Sequence, residues 1–217
     1  MEDESQLTRA SLLFQIRDAQ NANAWERFAD IYRPIVYGFC RNKGLQAADA
    51  EDIAQEVLRT VARAMESFEY DRGKGKFRNW LLTVTRNKLN NFWSRRDRQP
   101  RPAGESTLEA FIEGEPTPGE QGVWDREYHG RLFAWASDQV RPMVADATWQ
   151  AFWRTTIDER DGKEVAESLG MSVGAVYVAK SRVLARLKEA IASIDGDSEL
   201  PQVRGAGKPG PRPHLPR

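Results

Sequence analysis

Ala47-Ala48-Asp49-Ala50-Glu51-Asp52-Ile53-Ala54-Gln55-Glu56-Val57 and, twenty residues on, Phe77-Arg78-Asn79-Trp80-Leu81 are the stretches that decide how this chain folds. An aspartate ahead of further acids suits the free N–H groups and positive dipole of a helix N-terminus, so a helix is predicted to begin at Asp49. Ile53, Val57, Val61, Ala64, Met65 and Phe68 recur at helical spacing and form one apolar stripe, which faces a core. Asp52, Gln55, Glu56 and Arg59 stand at i, i+3, i+4 and i+7 of the same helix and share a second, polar face. That face is free to meet a partner.

Tyr70-Asp71-Arg72-Gly73-Lys74-Gly75-Lys76 breaks the helix with two glycines, and a second periodic run begins at Phe77. Phe77, Trp80, Leu81, Val84, Leu89 and Phe92 read as its buried side. Asn87, Asn91 and Arg95, spaced by four, lie on a different face. From Arg72 to Arg101 there are ten basic residues (Arg72, Lys74, Lys76, Arg78, Arg86, Lys88, Arg95, Arg96, Arg98 and Arg101) against one acid, Asp97, a local balance of +9 that the whole-chain net charge of +0 conceals. Cations beside aromatics and amides suit nucleic acid: the cations neutralise phosphates and aromatic faces accept unstacked bases.

These residues resemble a known family. Asp49 to Val57, Phe77-Arg78-Asn79-Trp80-Leu81 and Thr85-Arg86-Asn87-Lys88 are similar to the second conserved region of sigma-70 family initiation factors, with the short extracytoplasmic-function type the best match. The resemblance covers Trp25 to Arg96 and a second segment near the C-terminus. It implies a subunit without catalytic chemistry of its own, which binds core RNA polymerase and selects and melts promoter DNA. The face of Asp52, Gln55, Glu56 and Arg59 would grip the polymerase. Lys74, Lys76, Phe77, Arg78, Trp80, Asn87, Lys88, Asn91, Arg95 and Arg96 would serve the -10 element. For Phe77 and Trp80, plain core packing stands equally beside direct base contact. The resemblance also admits an anti-sigma factor as a partner.

The chain in order carries this reading further. Leu12, Leu13, Ile16 and Ala19 suggest a short first helix. Trp25, Phe28, Ala29, Tyr32, Ile35, Val36 and Phe39 suggest a second, expected to kink or restart at Pro34 and to end at Gly44. Between Gln99 and Gly122 the pattern lapses into Pro100, Pro102, Gly104, Gly114, Pro116, Pro118 and Gly119 among five glutamates, a linker signature. Thr107 to Ile112 within it reads as a docking turn. Such an acidic tether either follows a basic channel of the polymerase, as the resemblance implies, or simply keeps the chain soluble. Trp124, Tyr128, Leu132, Trp135, Ala136 and Val140 then recur at helical spacing, and Thr148 to Ile157 is a further amphipathic stretch whose aromatics read as core anchors.

Lys163-Glu164-Val165-Ala166-Glu167-Ser168-Leu169-Gly170-Met171-Ser172-Val173-Gly174-Ala175-Val176-Tyr177 fits a helix-turn-helix. Ala166 lets two helices approach, Gly170 takes the turn, Val176 packs the second helix on the first, and Ser172 is a natural N-cap. The second helix buries Ala179, Val183, Leu187 and Ile191. Its other faces carry Tyr177, Val178, Lys180, Ser181, Arg182 and Arg186, suited to base edges near the N-terminal end and phosphates beyond. This segment resembles the fourth region of the same family, so Ser172, Val173, Tyr177, Val178, Lys180, Ser181, Arg182 and Arg186 would serve the -35 element. The family commonly has a basic-Ser-basic run where this chain has Tyr177-Val178-Ala179, and an apolar residue where Lys180 stands. A more apolar tip suits thymine methyl groups.

The expected fold is therefore all-α: a helical bundle (region 2) over 1–98, an acidic Pro/Gly linker over 99–123, a helix-turn-helix domain (region 4) over 124–195 and a disordered basic, Pro-rich tail over 196–217. With one cysteine, Cys40, and two histidines, His129 and His214, the chain offers no intrachain disulfide or cysteine-rich zinc site. No metal or cofactor is expected, and Cys40 reads as a small buried residue. No run reaches the roughly 20 apolar residues that span a bilayer. The acidic start Met1-Glu2-Asp3-Glu4 is unlike a secretory signal, so a cytoplasmic location without membrane insertion is expected. Two other functions fit parts of the chain: a helix-turn-helix regulator that binds duplex DNA without polymerase, and a magnesium nuclease built on Asp49, Glu51, Asp52 and Glu56. The nuclease lacks a paired base or histidine.

Overall fold

A computed structural model describes residues 12–65, 77–96 and 116–194, and among these every regular element is helical. The order is α1 (Leu12–Gln15), α2 (Ala22–Asn42), α3 (Ala47–Met65), α4 (Phe77–Arg96), α5 (Pro118–Val140), a 3-10 turn (Arg141–Met143), α6 (Asp146–Thr156), α7 (Gly162–Leu169) and α8 (Val173–Ala192). They divide between two compact units, Met1–Tyr128 and His129–Arg217. Phe68, Lys74, Lys76, the docking turn at 107–112 and the basic tail lie outside the described residues.

The first unit is built on α2. Asn21 starts it by accepting the Ala24 N–H at 3.1 Å, occupying one of the donors that the first turn leaves over. Of the kink or restart expected at Pro34, the restart does not occur: the helix runs unbroken through it. One proline removes a single backbone hydrogen bond, and the buried row Phe28, Ile31, Tyr32, Ile35, Val36 and Phe39 holds the turns on either side. Gly44 closes it in the left-handed region at φ +87, where a Cβ would be strained, and the Leu45 N–H reaches back to the Cys40 carbonyl at 3.2 Å.

Helix α3 begins at Ala47, two residues before the predicted Asp49, which lies in the first turn, still beside the positive helix end. It buries Ala50, Ile53, Ala54, Val57, Val61 and Met65, and Ala64 is half-buried. On α4, Phe77, Leu81, Leu82, Val84, Thr85 and Leu89 are buried. Trp80 and Phe92 are half-buried. Leu82 and Thr85 lie outside the stripe read from sequence; the Thr85 hydroxyl is satisfied by donating to the Leu81 carbonyl at 2.8 Å, which lets a polar residue enter the core.

Aromatic rings fill the centre of this unit. Phe28 and Tyr32 stack at 4.4 Å, and Phe77 meets both edge-on at 6.0 and 5.3 Å, the offset and T-shaped geometries that ring quadrupoles prefer. The first turns of α5, which the linker reading had left irregular, complete it. The helix starts at Pro118, proline at a first position where its missing N–H is no loss. Trp124 then sets its ring edge-on to Phe39 at 5.3 Å, and Tyr128 lies 6.2 Å from Tyr32.

In the second unit α6, α7 and α8 pack through Ala151, Val165, Ala166, Val176 and Ala179, small residues that let the helix backbones come close. Asp161 caps α7 by accepting the Lys163 N–H at 2.8 Å. Gly170 ends it at φ +64, and the Met171 N–H returns to the Ala166 carbonyl at 2.9 Å, a left-handed cap of the kind glycine permits. Ser172 opens α8 by accepting the Ala175 N–H at 3.1 Å. The buried side of α8 is Val176, Ala179, Val183, Leu187 and Ile191, the expected row.

Candidate nucleic-acid interface

The polar face of α3 stays outside the core. Asp52, Gln55 and Arg59 are exposed and Glu56 is half-buried, because the apolar stripe directs the opposite side of the helix inward. Arg59 donates to Gln55 Oε1 at 3.4 Å, and Lys88 of α4 stands 3.9 Å from Glu56. Pairs this open to solvent contribute little to stability, so the face is free to exchange them for a partner. Glu51 pairs with Arg33 at 2.5 Å. Among the described residues no three histidine, cysteine or acidic side chains converge as a metal site.

On α4, Phe77 is 1% exposed and belongs to the core, so its ring underpins the surface and reaches no base unless the core opens. Trp80 and Asn87 are half-buried, Asn91 and Arg95 are exposed, and Arg96 lies in the last turn. Arg78 and Arg86 already have company from α5. Arg78 approaches Asp125 at 3.4 Å and lies over the Tyr128 ring at 5.8 Å, and Arg86 approaches Glu120 at 3.5 Å. Glu120 also accepts from Lys43 at 2.8 Å. Burial pushes the Glu120 carboxyl up, but the bonds from Lys43 and the Thr117 backbone, with the charges of Lys43 and Arg86, outweigh it and hold the group below the usual carboxylate range. Glu127, in turn, accepts from Asn42 at 2.9 Å.

The basic surplus read along α4 is thus divided. Arg78, Arg86 and Lys88 each face an acid from another helix, while Asn91 and Arg95 point to solvent. Nothing in the local sequence pattern signals the pairings with Glu120 and Asp125, because the partners lie 34 or more residues away along the chain.

In the second unit, Ser172, Val173, Tyr177, Val178, Ser181, Arg182 and Arg186 are exposed and Lys180 is half-buried. The first two turns of α8 therefore present side chains outward while Val176 and Ala179 anchor them from behind. Arg186 donates to the Met143 carbonyl at 3.3 Å. Ser172 spends its lone pair on capping but keeps its hydroxyl proton for an acceptor. Two residues on α7 escaped the sequence reading, Asp161 and Gly162. The order Asp161-Gly162-Lys163-Glu164, with an acid three positions after the cap residue, is the signal that locates that helix start.

Comparison with known proteins agrees with this arrangement. Residues 28–99, which hold most of α2 and the whole of α3 and α4, match the sigma-70 region 2 family. The chain is also 26% identical over 188 residues to the ECF RNA polymerase sigma factor RpoE of Cereibacter sphaeroides, covering 84% of this chain and 93% of that protein. The family match lies on the helices that carry the α3 polar face and the α4 cations, and the alignment to the extracytoplasmic-function sigma factor continues past them to take in most of the chain, so this chain is similar to sigma factors of that type in its region 2 segment and along most of its length.

Proposed function

We propose that this chain is a sigma factor of the extracytoplasmic-function type, which binds core RNA polymerase through the outward face of α3, holds separated promoter strands at α4, and seats α8 in the major groove of the upstream -35 element. The first unit acts on opened DNA and the second on intact duplex. Asp52, Gln55, Glu56 and Arg59 make the polymerase contact. Trp80, Asn87, Asn91, Arg95 and Arg96, with Lys74 and Lys76 just ahead of α4 in the sequence, serve the -10 element. Arg78 and Lys88 add to them once their acid partners let go. Ser181, Arg182 and Arg186 hold the duplex backbone while the tip of α8 reads bases.

The observation that carries this reading is the outward polar face of α3 inside the matched region: an acid-amide-acid-base set kept at the surface by a helix whose other side is wholly apolar. A double substitution tests it. Gln55→Ala with Glu56→Ala is expected to weaken association with core polymerase about tenfold, the loss of one or two charge-assisted contacts at a protein interface, with unchanged helicity by circular dichroism. Undiminished association would remove the polymerase contact from α3.

A further inference from the structure

Among the described residues, six large apolar side chains are exposed, and three of them, Val173, Tyr177 and Val178, stand on the first two turns of α8. They are 37%, 56% and 58% exposed. Val173 and Tyr177, at i and i+4, stand one above the other, and Val178 is turned about 100° further round the outward side of the helix. Their counterparts behind the helix, Val176 and Ala179, are sealed in the core, so the outward three are surplus to folding. Neighbouring exposed apolar side chains of this kind suit a contact surface. Beyond them along α8 come Ser181, Arg182 and Arg186, a donor and two cations suited to phosphates.

Tyr177 is also held in place. Its ring leans over Gly162, the buried first residue of α7. A Cβ at position 162 would stand 2.9 Å from the Tyr177 hydroxyl and 3.1 Å from Cζ. Only glycine leaves the ring its seat. Any other residue there pushes the ring away, at small cost, because the atoms displaced are the far end of a flexible side chain.

We infer that Val173, Tyr177 and Val178 form an apolar reading edge for the 5-methyl groups of thymines in the upstream duplex, with Gly162 as the positioning residue that aims Tyr177. The inference rests on the major-groove placement of α8 proposed above and names what that helix selects. In the major groove the methyl of thymine is the one apolar feature a base pair presents. Val173, Tyr177 and Val178 themselves carry no cation for the two acceptors of guanine, which an arginine would satisfy bidentately, and Lys180, one turn on from Tyr177, is half-buried. The flanking cations bring the edge to polyanionic DNA, which an apolar protein partner would not need.

The test uses the full chain assembled with core polymerase. The holoenzyme first selects an upstream element from a randomised duplex pool, and each thymine of the winning element is then replaced by uracil, which deletes the methyl alone. Wild-type holoenzyme is expected to lose about threefold to fivefold in affinity at one or two uracil positions, the worth of one buried methyl, and Val178→Ala or Tyr177→Ala to lose the distinction between thymine and uracil there. Gly162→Ala is expected to keep its melting temperature but to lose the methyl preference at the Tyr177 position only, a readout that a general loss of folding does not produce. A selected element in which uracil equals thymine everywhere overturns the inference. So does an element that Tyr177→Ala and Val178→Ala leave unchanged, which would assign the edge to a protein partner. Failure to select any element is a separate result and removes the proposed initiation function with it.

Discussion

Single residues in this protein behave as their surroundings dictate. Cys40 is fully buried on α2, and burial pushes its thiol up to about 12, because the thiolate loses its water. It stays protonated throughout the physiological range. An alkylating reagent at neutral pH is therefore expected to leave Cys40 unmodified in the native protein and to label it in denaturant, as mass spectrometry of the intact chain reports. Rapid labelling of the native chain would show the α2 core to be open. Burial of Cys40 was legible from its place after Phe39 on an apolar stripe. The seat of Tyr177 over Gly162 was not, because it depends on how two helices cross and not on the spacing within either one.

The helices were read most accurately where a local rule acts alone. Ser172 caps α8, Gly170 and Gly44 close helices in the left-handed region, and the buried row of α8 is the one its spacing demands. Where tertiary packing intervened, the reading slipped. At Pro34 the restart, one of the two outcomes expected there, does not occur, because core contacts on both sides outweigh one lost hydrogen bond. Six residues assigned to the linker begin α5 because Trp124 and Tyr128 bring the turn ahead of them onto aromatic rings of α2. On this scale the helix-turn-helix depends on its caps. Ser172→Ala is expected to lower stability by about 1 kcal/mol and Gly170→Ala, which forces a Cβ into a left-handed position, by about 1–2 kcal/mol. Thermal melts of the two variants check both, and an unchanged melting temperature for Gly170→Ala would contradict the turn as described.

At the scale of the molecule, the sequence divides its labour by charge and ring chemistry. One unit gathers aromatics beneath a basic, amide-bearing helix; the other projects a capped helix with an apolar tip and cationic flanks. The all-α class was readable from periodicity, whereas the two units divide within α5, between Tyr128 and His129, and not in the Pro/Gly-rich interval. The cross-helix pairing of Arg78 and Arg86 with acids of α5 was not readable, since charge counting along one helix cannot see a partner on another. With α3 on the polymerase and α4 on separated strands, as proposed, the chain opens promoter DNA only together with core polymerase. Permanganate oxidation of unpaired thymines on a cognate promoter tests it directly. Reactive thymines are expected around the -10 element when chain and core polymerase are both present, and with neither component alone. Tight, sequence-specific binding of the chain by itself to closed duplex, with no thymine made reactive by adding polymerase, would contradict the account and make the protein a duplex-binding regulator.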